Sequence, residues 1–307
     1  MRSARFGLLA AAAIALASIA VYAAFWKAGA SAMRQTIAGA AEGRGPVSVR
    51  AASFKTKGFP FFLRGDLADA QIRGGGVDWR TDRLWIDALP INPARFVFTP
   101  SPRQTLDLGR YGRFDVSMEG GRASYATRPA GVWVVDAQAD KAAASDPTGA
   151  RKASAAGVLL KAAPEGDGRH ASLFAGSFSW TENGRTATGE KLLVDLVSGV
   201  AAEGPTLTVR RFRMETAGAT IECDGVITLD AEGFPRGALQ ATIVNPKGFV
   251  RFLFDLGAIR PEEARRAEPA LALAAIAAGG ALKAPIELAD GEARIAGVKI
   301  AKTPRLK

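Results

Sequence analysis

The chain has 307 residues, 48% hydrophobic and 23% charged, with 40 Lys and Arg against 30 Asp and Glu. That supplies a large core and excludes a disordered or low-complexity chain. A single cysteine excludes a disulfide framework, and a single histidine argues against zinc or haem sites. The formal charge of +10 is scattered between predicted strands rather than clustered. It fits a solvated arginine-rich surface or attraction to anionic lipid better than a nucleic-acid stripe.

Met1-Arg2-Ser3-Ala4-Arg5 is a short basic tail, and Phe6–Trp26 follows with Ser18 as its one strongly polar side chain. At ~1.5 Å per residue, roughly twenty such residues cross the hydrocarbon core of a bilayer. The alternative is a secretory signal peptide cut near Ala28-Gly29-Ala30. Signal peptides have a shorter apolar region, about 7–15 residues, and bulky Tyr22, Phe25 and Trp26 crowd the place where small residues are needed. Tyr22 and Trp26 suit the interfacial aromatic belt, with Lys27 outside it. The expected topology places the tail in the cytoplasm and the bulk of the chain beyond the membrane. Residues 27–45 read as an outward helical stalk that Gly43-Arg-Gly-Pro46 ends.

Period-two alternation dominates from there, the mark of half-buried strands. Phe114, Val116 and Met118 alternate with polar neighbours, and Gly120-Gly121 reads as a hairpin turn. Trp133, Val135 and Ala137 form a further strand, and Phe174, Phe178 and Trp180 share a face before Glu182-Asn183-Gly184 turns the chain. Leu207 and Val209 lie in one phase and Phe212 and Met214 in the other, so Arg210-Arg211 predicts a β-bulge. Asp290-Gly291 is a second strong hairpin signal, followed by a phase shift near Gly297. Two helices interrupt the strands. One is capped by Asn245 before Pro246, with Phe249, Phe252, Leu253 and Leu256 on one stripe. The other starts at Pro261-Glu-Glu and runs to Ala278. Ala139–Ala156 reads as a loop or subdomain joint. The fold class is therefore mainly β: a curved antiparallel sheet, half-barrel or sandwich, with a C-terminal helical pair and an N-terminal transmembrane helix. The organisation is 1–5 tail, 6–26 anchor, 27–45 stalk and 46–307 β-rich domain, with a joint near 139–156.

Catalytic signals are sparse. His170 sits in a turn-like Gly166-Asp-Gly-Arg-His with no partner at useful spacing, and neither a nucleophile elbow nor a phosphate-cradling glycine loop occurs. Cys223 shares a face with Ile221 and reads as a buried structural thiol. Carboxylate pairs such as Asp66 and Asp69 fit turn roles without acid–base chemistry. The expectation is a chain with no catalytic, cofactor or metal residues. What stands out is aromatic weight. Phe59, Phe61 and Phe62 surround Pro60, and Trp79 and Trp85 follow, ahead of Leu89-Pro90-Ile91-Asn92-Pro93. The set reads either as a plug closing the end of the β domain or as a hydrophobic mouth for acyl chains.

The anchor, Gly58-Phe-Pro-Phe61, Trp85 with its apolar-Pro sequel, and the closing Asp290-Gly…Gly297-Val-Lys-Ile…Pro304 together resemble the bacterial domain of unknown function 2125, from about Lys27 to Arg305. The ending is also similar to that of AsmA-type envelope proteins, which are membrane-anchored, β-rich and associated with lipid movement. That resemblance implies a single-pass inner-membrane protein with its bulk in the periplasm, and it carries over no catalytic residues. The expected function is non-enzymatic binding or handling of lipids or other apolar envelope molecules, with no nucleic acid. The alternative is a scaffold that binds another envelope protein.

Overall fold

The computed structural model describes residues 2–45, 47–89, 92–128, 131–201, 204–303 and 305, with side chains from Ser18 onward except those of 89, 93 and 201. Pro46, Pro90, Ile91 and Pro304, which figure in the sequence reading, lie outside the described residues. The chain divides into two compact units, Met1–Arg113 with Ser124–Ala126, and Phe114–Ala123 with Thr127–Lys307.

In the first unit, helix α1 (Arg2–Ala41) precedes β1 (Val47–Arg50), β2 (Ser53–Lys57), β3 (Leu63–Gly74), β4 (Val77–Leu89), β5 (Asn92–Pro100) and β6 (Arg103–Asp107). β3 is the hub: it pairs antiparallel with β1, β2 and β4, and β4 pairs on with β5 and β6. The segments expected as anchor and stalk form one helix, which Ala-rich sequence favours because alanine gives up no side-chain rotamer freedom. Among the described residues no helix is long and apolar enough to cross a membrane. The side chains of residues 6–17, over half of the expected Phe6–Trp26 span, lie outside them.

The core of this unit joins Ala30 and Met33 of α1 to Leu63, Leu67, Ala70, Leu84, Ile86 and Ala88. Its strands change phase part-way. Leu63 and Leu67 point inward from odd positions, but Ala70 does so from an even one. The switch falls at Asp69, in left-handed backbone at φ 48, and the β3–β4 ladder skips Asp69 and Asp82 without losing register.

The second unit is built from β7 (Arg113–Glu119), the ends of β8 (Arg122–Thr127), β9 (Trp133–Ser145), β10 (Arg151–Glu165), β11 (Gly168–Glu182), β12 (Arg185–Ala201), β13 (Gly204–Thr216), β14 (Ala219–Leu229) and β15 (Pro235–Val244). Helices α2 (Pro246–Asp255) and α3 (Pro261–Ala277) follow, then β16 (Ala281–Ala289), β17 (Glu292–Ile295) and β18 (Val298–Lys302). From β9 to β18 each strand pairs antiparallel with the next. The expected helical pair is present. Asn245 accepts from the Gly248 amide at 3.3 Å, and Phe249, Phe252 and Leu253 of α2 join Leu271 of α3 on Ile221, Ile243 and Leu282 of the strands. The expected bulge is there too, since the β13–β14 ladder breaks between Val209 and Phe212.

Two local readings are corrected. Residues 139–156, expected as a loop or joint, form most of the β9–β10 hairpin around a turn at Asp146–Ala150, closed by Asp146 N donating to Arg151 O at 3.0 Å. Ala, Lys and Ser have little strand preference, and cross-strand pairing overrides it. His170 lies within β11 rather than in a turn.

Candidate functional site

A concavity of the first unit lies between α1 and β3–β5, about 520 Å³ in volume. Phe25, Ala32 and Ile37 form its helix wall, and Leu63, Ile86 and Phe98 its strand wall. Small residues let the two walls meet beside it. A Cβ on Gly65 would lie 2.9 Å from both the Met33 sulfur and the Phe54 ring, and one on Gly29 would touch Leu63 at 3.5 Å. The lining carries two hydrogen-bonding side chains, both engaged: the Thr36 hydroxyl donates to Ala32 O at 3.0 Å within the helix, and the Trp26 indole N–H donates to the Phe62 carbonyl. The lining therefore offers almost nothing to a charged or hydrogen-bonding ligand. Its volume falls in the ~300–1,000 Å³ range of small-molecule sites.

Of the six aromatic and proline positions singled out in the sequence, Phe59, Pro60 and Phe62 meet α1, and Phe61 lies in the same loop. Gly58 opens the loop at φ 102, where a Cβ would collide with the Phe62 carbonyl at 2.5 Å, so only glycine fits the turn. The Tyr22 hydroxyl donates to the Pro60 carbonyl, and Trp26 Nε1 donates to the Phe62 carbonyl at 3.0 Å. Phe59 sets its ring edge-on to Trp26, with centroids 5.6 Å apart, and meets Tyr22 at 6.5 Å. Phe59 stays 52% exposed and Phe61 80% exposed. Trp26 thus belongs both to the loop and to the cavity wall.

Trp79 and Trp85 are placed elsewhere. Trp79 Nε1 donates to Gln104 Oε1 at 2.7 Å. Trp85 precedes cavity-lining Ile86 and so faces the other side of β4, where the guanidiniums of Arg83 and Arg64 stand 5.4 and 5.8 Å from its ring. The cavity wall itself escaped the sequence reading. Phe25 and Ala32 read as anchor and stalk, and the closely spaced Ala28, Gly29 and Ala32 were the available sign of a packed helix face.

A carboxylate network lies on β3 and β4. Arg83 grips Asp66 through two bonds of 2.7 Å, and Lys57 adds one of 2.8 Å. The Arg83 bonds foremost, helped by Lys57 and opposed by burial, hold Asp66 well below the usual carboxylate range. Arg64 pairs bidentately with Asp87 at 2.6 and 2.7 Å. Asp78 is pulled down to about 2, chiefly by Arg80, with Gln71 and Arg73 contributing. Asp66 and Asp78 are thereby held as anions, which suits structural pairing rather than proton transfer near neutral pH.

Residues 26–304 match the family model described as "Uncharacterized protein conserved in bacteria (DUF2125)". The chain belongs to this family. No curated protein and no solved structure matches it. The DUF2125 match begins at Trp26, the residue that joins helix, loop and cavity, and therefore takes in the whole strand wall.

Two further reactive side chains of this DUF2125 chain, His170 and Cys223, lie in the second unit. His170 Nε2 is 2.8 Å from Asp195 Oδ1, a pairing the sequence spacing hides and the β11–β12 register produces. Cys223 is free and buried, and desolvation, with help from Asp224, pushes its thiol up to about 11. No group of three or more His, Cys, Asp and Glu side chains suited to a metal occurs among the described residues.

Proposed function

We propose that this chain is a single-pass inner-membrane protein whose periplasmic β-rich part binds the acyl chains of lipids, without catalysing a reaction on them. The cavity of about 520 Å³ carries this reading: it is walled by apolar side chains, and its two polar groups, on Thr36 and Trp26, are already engaged. Such a lining discriminates by shape and desolvation, as an acyl chain requires. The membrane placement draws on the uncharged run of Phe6–Trp26 and on Trp26 and Tyr22 at its end. An AsmA-type ending is in keeping with that placement.

The test is the lipid content of the full chain purified from membranes in mild detergent, read by native mass spectrometry. Wild type is expected to retain phospholipid, and Ala32→Trp, which projects an indole into the cavity, is expected to lose it. Gln35→Trp, at an exposed position of the same helix, keeps it. Equal lipid in all three chains refutes the binding site, and protease protection of Lys27–Lys307 from the periplasmic side refutes the topology.

One observation favours the scaffold alternative. Leu273 and Ile276, one turn apart on α3, are 71% and 74% exposed. A helix edge of that kind suits a protein partner. Photo-crosslinking at Leu273 in intact cells is expected to trap one stoichiometric partner on that reading, and a smear of abundant proteins sinks it.

A further inference from the structure

The loop Gly58–Phe62 and the last apolar turn of α1 are fastened at the same height. Tyr22 and Trp26, one helical turn apart, donate to the carbonyls of Pro60 and Phe62, and Phe59 packs on both rings. Phe6–Trp26 rises roughly 31 Å at ~1.5 Å per residue, close to the ~30 Å hydrocarbon thickness. Trp26 therefore marks the level at which the helix leaves the acyl region, and the loop shares that level. Phe61 at 80% exposure and Phe59 at 52% are then not stray surface aromatics. They stand where phenyl rings are soluble in the bilayer. Lys27 and Lys57 are exposed and flank this band, as cations beside lipid phosphates do.

Phe25 and Trp26 are the N-terminal-most residues lining the cavity, so one end of it lies at the same level. We propose that Gly58–Phe62 is a wedge that seats Phe59 and Phe61 in the outer leaflet of the inner membrane beside α1, so that the cavity takes an acyl chain laterally from a bilayer phospholipid rather than from solution. This rests on the anchored, lipid-binding reading above and adds the route and the leaflet contact to it.

The experiment uses the full chain carrying Cys223→Ser, reconstituted into vesicles of phosphatidylethanolamine and phosphatidylglycerol, with an environment-sensitive fluorophore on Phe61→Cys. A parallel chain carries the label on Val77→Cys, at the β3–β4 turn. That turn is the far end of the β3 strand that starts at Leu63. The Phe61 label is expected to emit to the blue, to be quenched several-fold by a phospholipid with a shallow doxyl group, and to resist aqueous iodide. The Val77 label is expected to show the reverse. Carbonate extraction of the same vesicles separates the two ideas. A chain that is stripped from the vesicles overturns the anchored reading and the wedge with it. A chain that stays integral while its Phe61 label is open to iodide overturns the wedge alone. As a second measurement, Phe59→Ser with Phe61→Ser is expected to slow transfer of a fluorescent phospholipid from donor vesicles several-fold without reducing extraction resistance. Unchanged transfer also overturns the wedge.

Discussion

Asp66→Asn isolates the electrostatics of the β3–β4 hairpin with little change in volume. Asp66 has 6% of its side chain exposed, whereas Arg83 and Lys57 keep 48% and 53%. The substitution removes the charge behind three hydrogen bonds and turns an amide N–H₂ toward donors that cannot accept. A bond to a charged group contributes about 1.5–3 kcal/mol, and half-exposed cations regain water when released. The expected cost is about 2–3 kcal/mol, well short of the three bonds summed. That is roughly a 30- to 150-fold rise in local opening. Amide hydrogen exchange over β3 and β4 in the full chain reads it directly.

The pH dependence carries the sign. The folded carboxyl titrates below its unfolded value of about 3.9, chiefly because Arg83 bonds it and Lys57 assists. Its contribution is therefore complete above the unfolded value and disappears as pH falls toward the folded one. The gap between wild type and Asp66→Asn should hold steady from neutrality to about pH 5 and close below about pH 4. A gap under about 0.5 kcal/mol at neutrality, or one unchanged at about pH 3, refutes the account.

Three further outcomes follow from packing and burial. Gly248→Ala should destabilise the second unit by about 1–3 kcal/mol, although alanine ordinarily gains in a helix, because its Cβ would lie 2.5 Å from the Ala217 carbonyl oxygen. The matched Gly39→Ala in α1 meets nothing within 4 Å and should instead stabilise by about 0.5–1 kcal/mol, both read as shifts in thermal midpoint. Leu271→Ala, at a fully buried position between the helices and strands, should cost about 2–5 kcal/mol in a urea titration, and less than about 1 kcal/mol would mean the core closes over the gap. Cys223, with its thiol pushed up to about 11, should resist iodoacetamide at mildly alkaline pH in the native chain and react at the rate of a free thiol in guanidinium.

Turns and bulges were the most legible features, because their chemistry is local. Asn183-Gly184 and Asp290-Gly291 adopt paired positive φ values of 50 and 79, and 54 and 72, as two-residue hairpins demand. The slip between Val209 and Phe212 was visible because large apolar residues mark the phase on both sides. The switch at Asp69 was not. Ala68 and Ala70 fit either face of a strand, so Leu-Ala-Asp-Ala reads equally well in both phases. The hairpin through residues 139–156 stayed hidden for the same reason: Ala, Ser and Lys mark neither face, and only pairing with β7 and β11 decides it.

The candidate site divides along the same line. Its loop was visible as an aromatic cluster, while its cavity was not, because half of the wall belongs to a helix read as anchor and stalk. On the proposed reading, the single run from Arg2 to Ala41 gives that helix two tasks. Up to Trp26 it is an uncharged run of alanines interspersed with Leu, Ile, Val and Phe, which suits lipid. Beyond it, Ala28, Gly29, Ala30 and Ala32 remove side-chain bulk, and Met33 and Ile37 return it on one face. Close approach is needed at Ala30 and Met33, which are buried against β3 and β4. Clearance is needed at Ala28 and Ala32, which line the cavity without filling it. An isolated stalk needs neither property. On the proposed reading, a helix that leaves lipid at Trp26 becomes at once the wall of an apolar site. Restoring bulk there, as Ala32→Trp does, should abolish the site while leaving the apolar run before it unchanged.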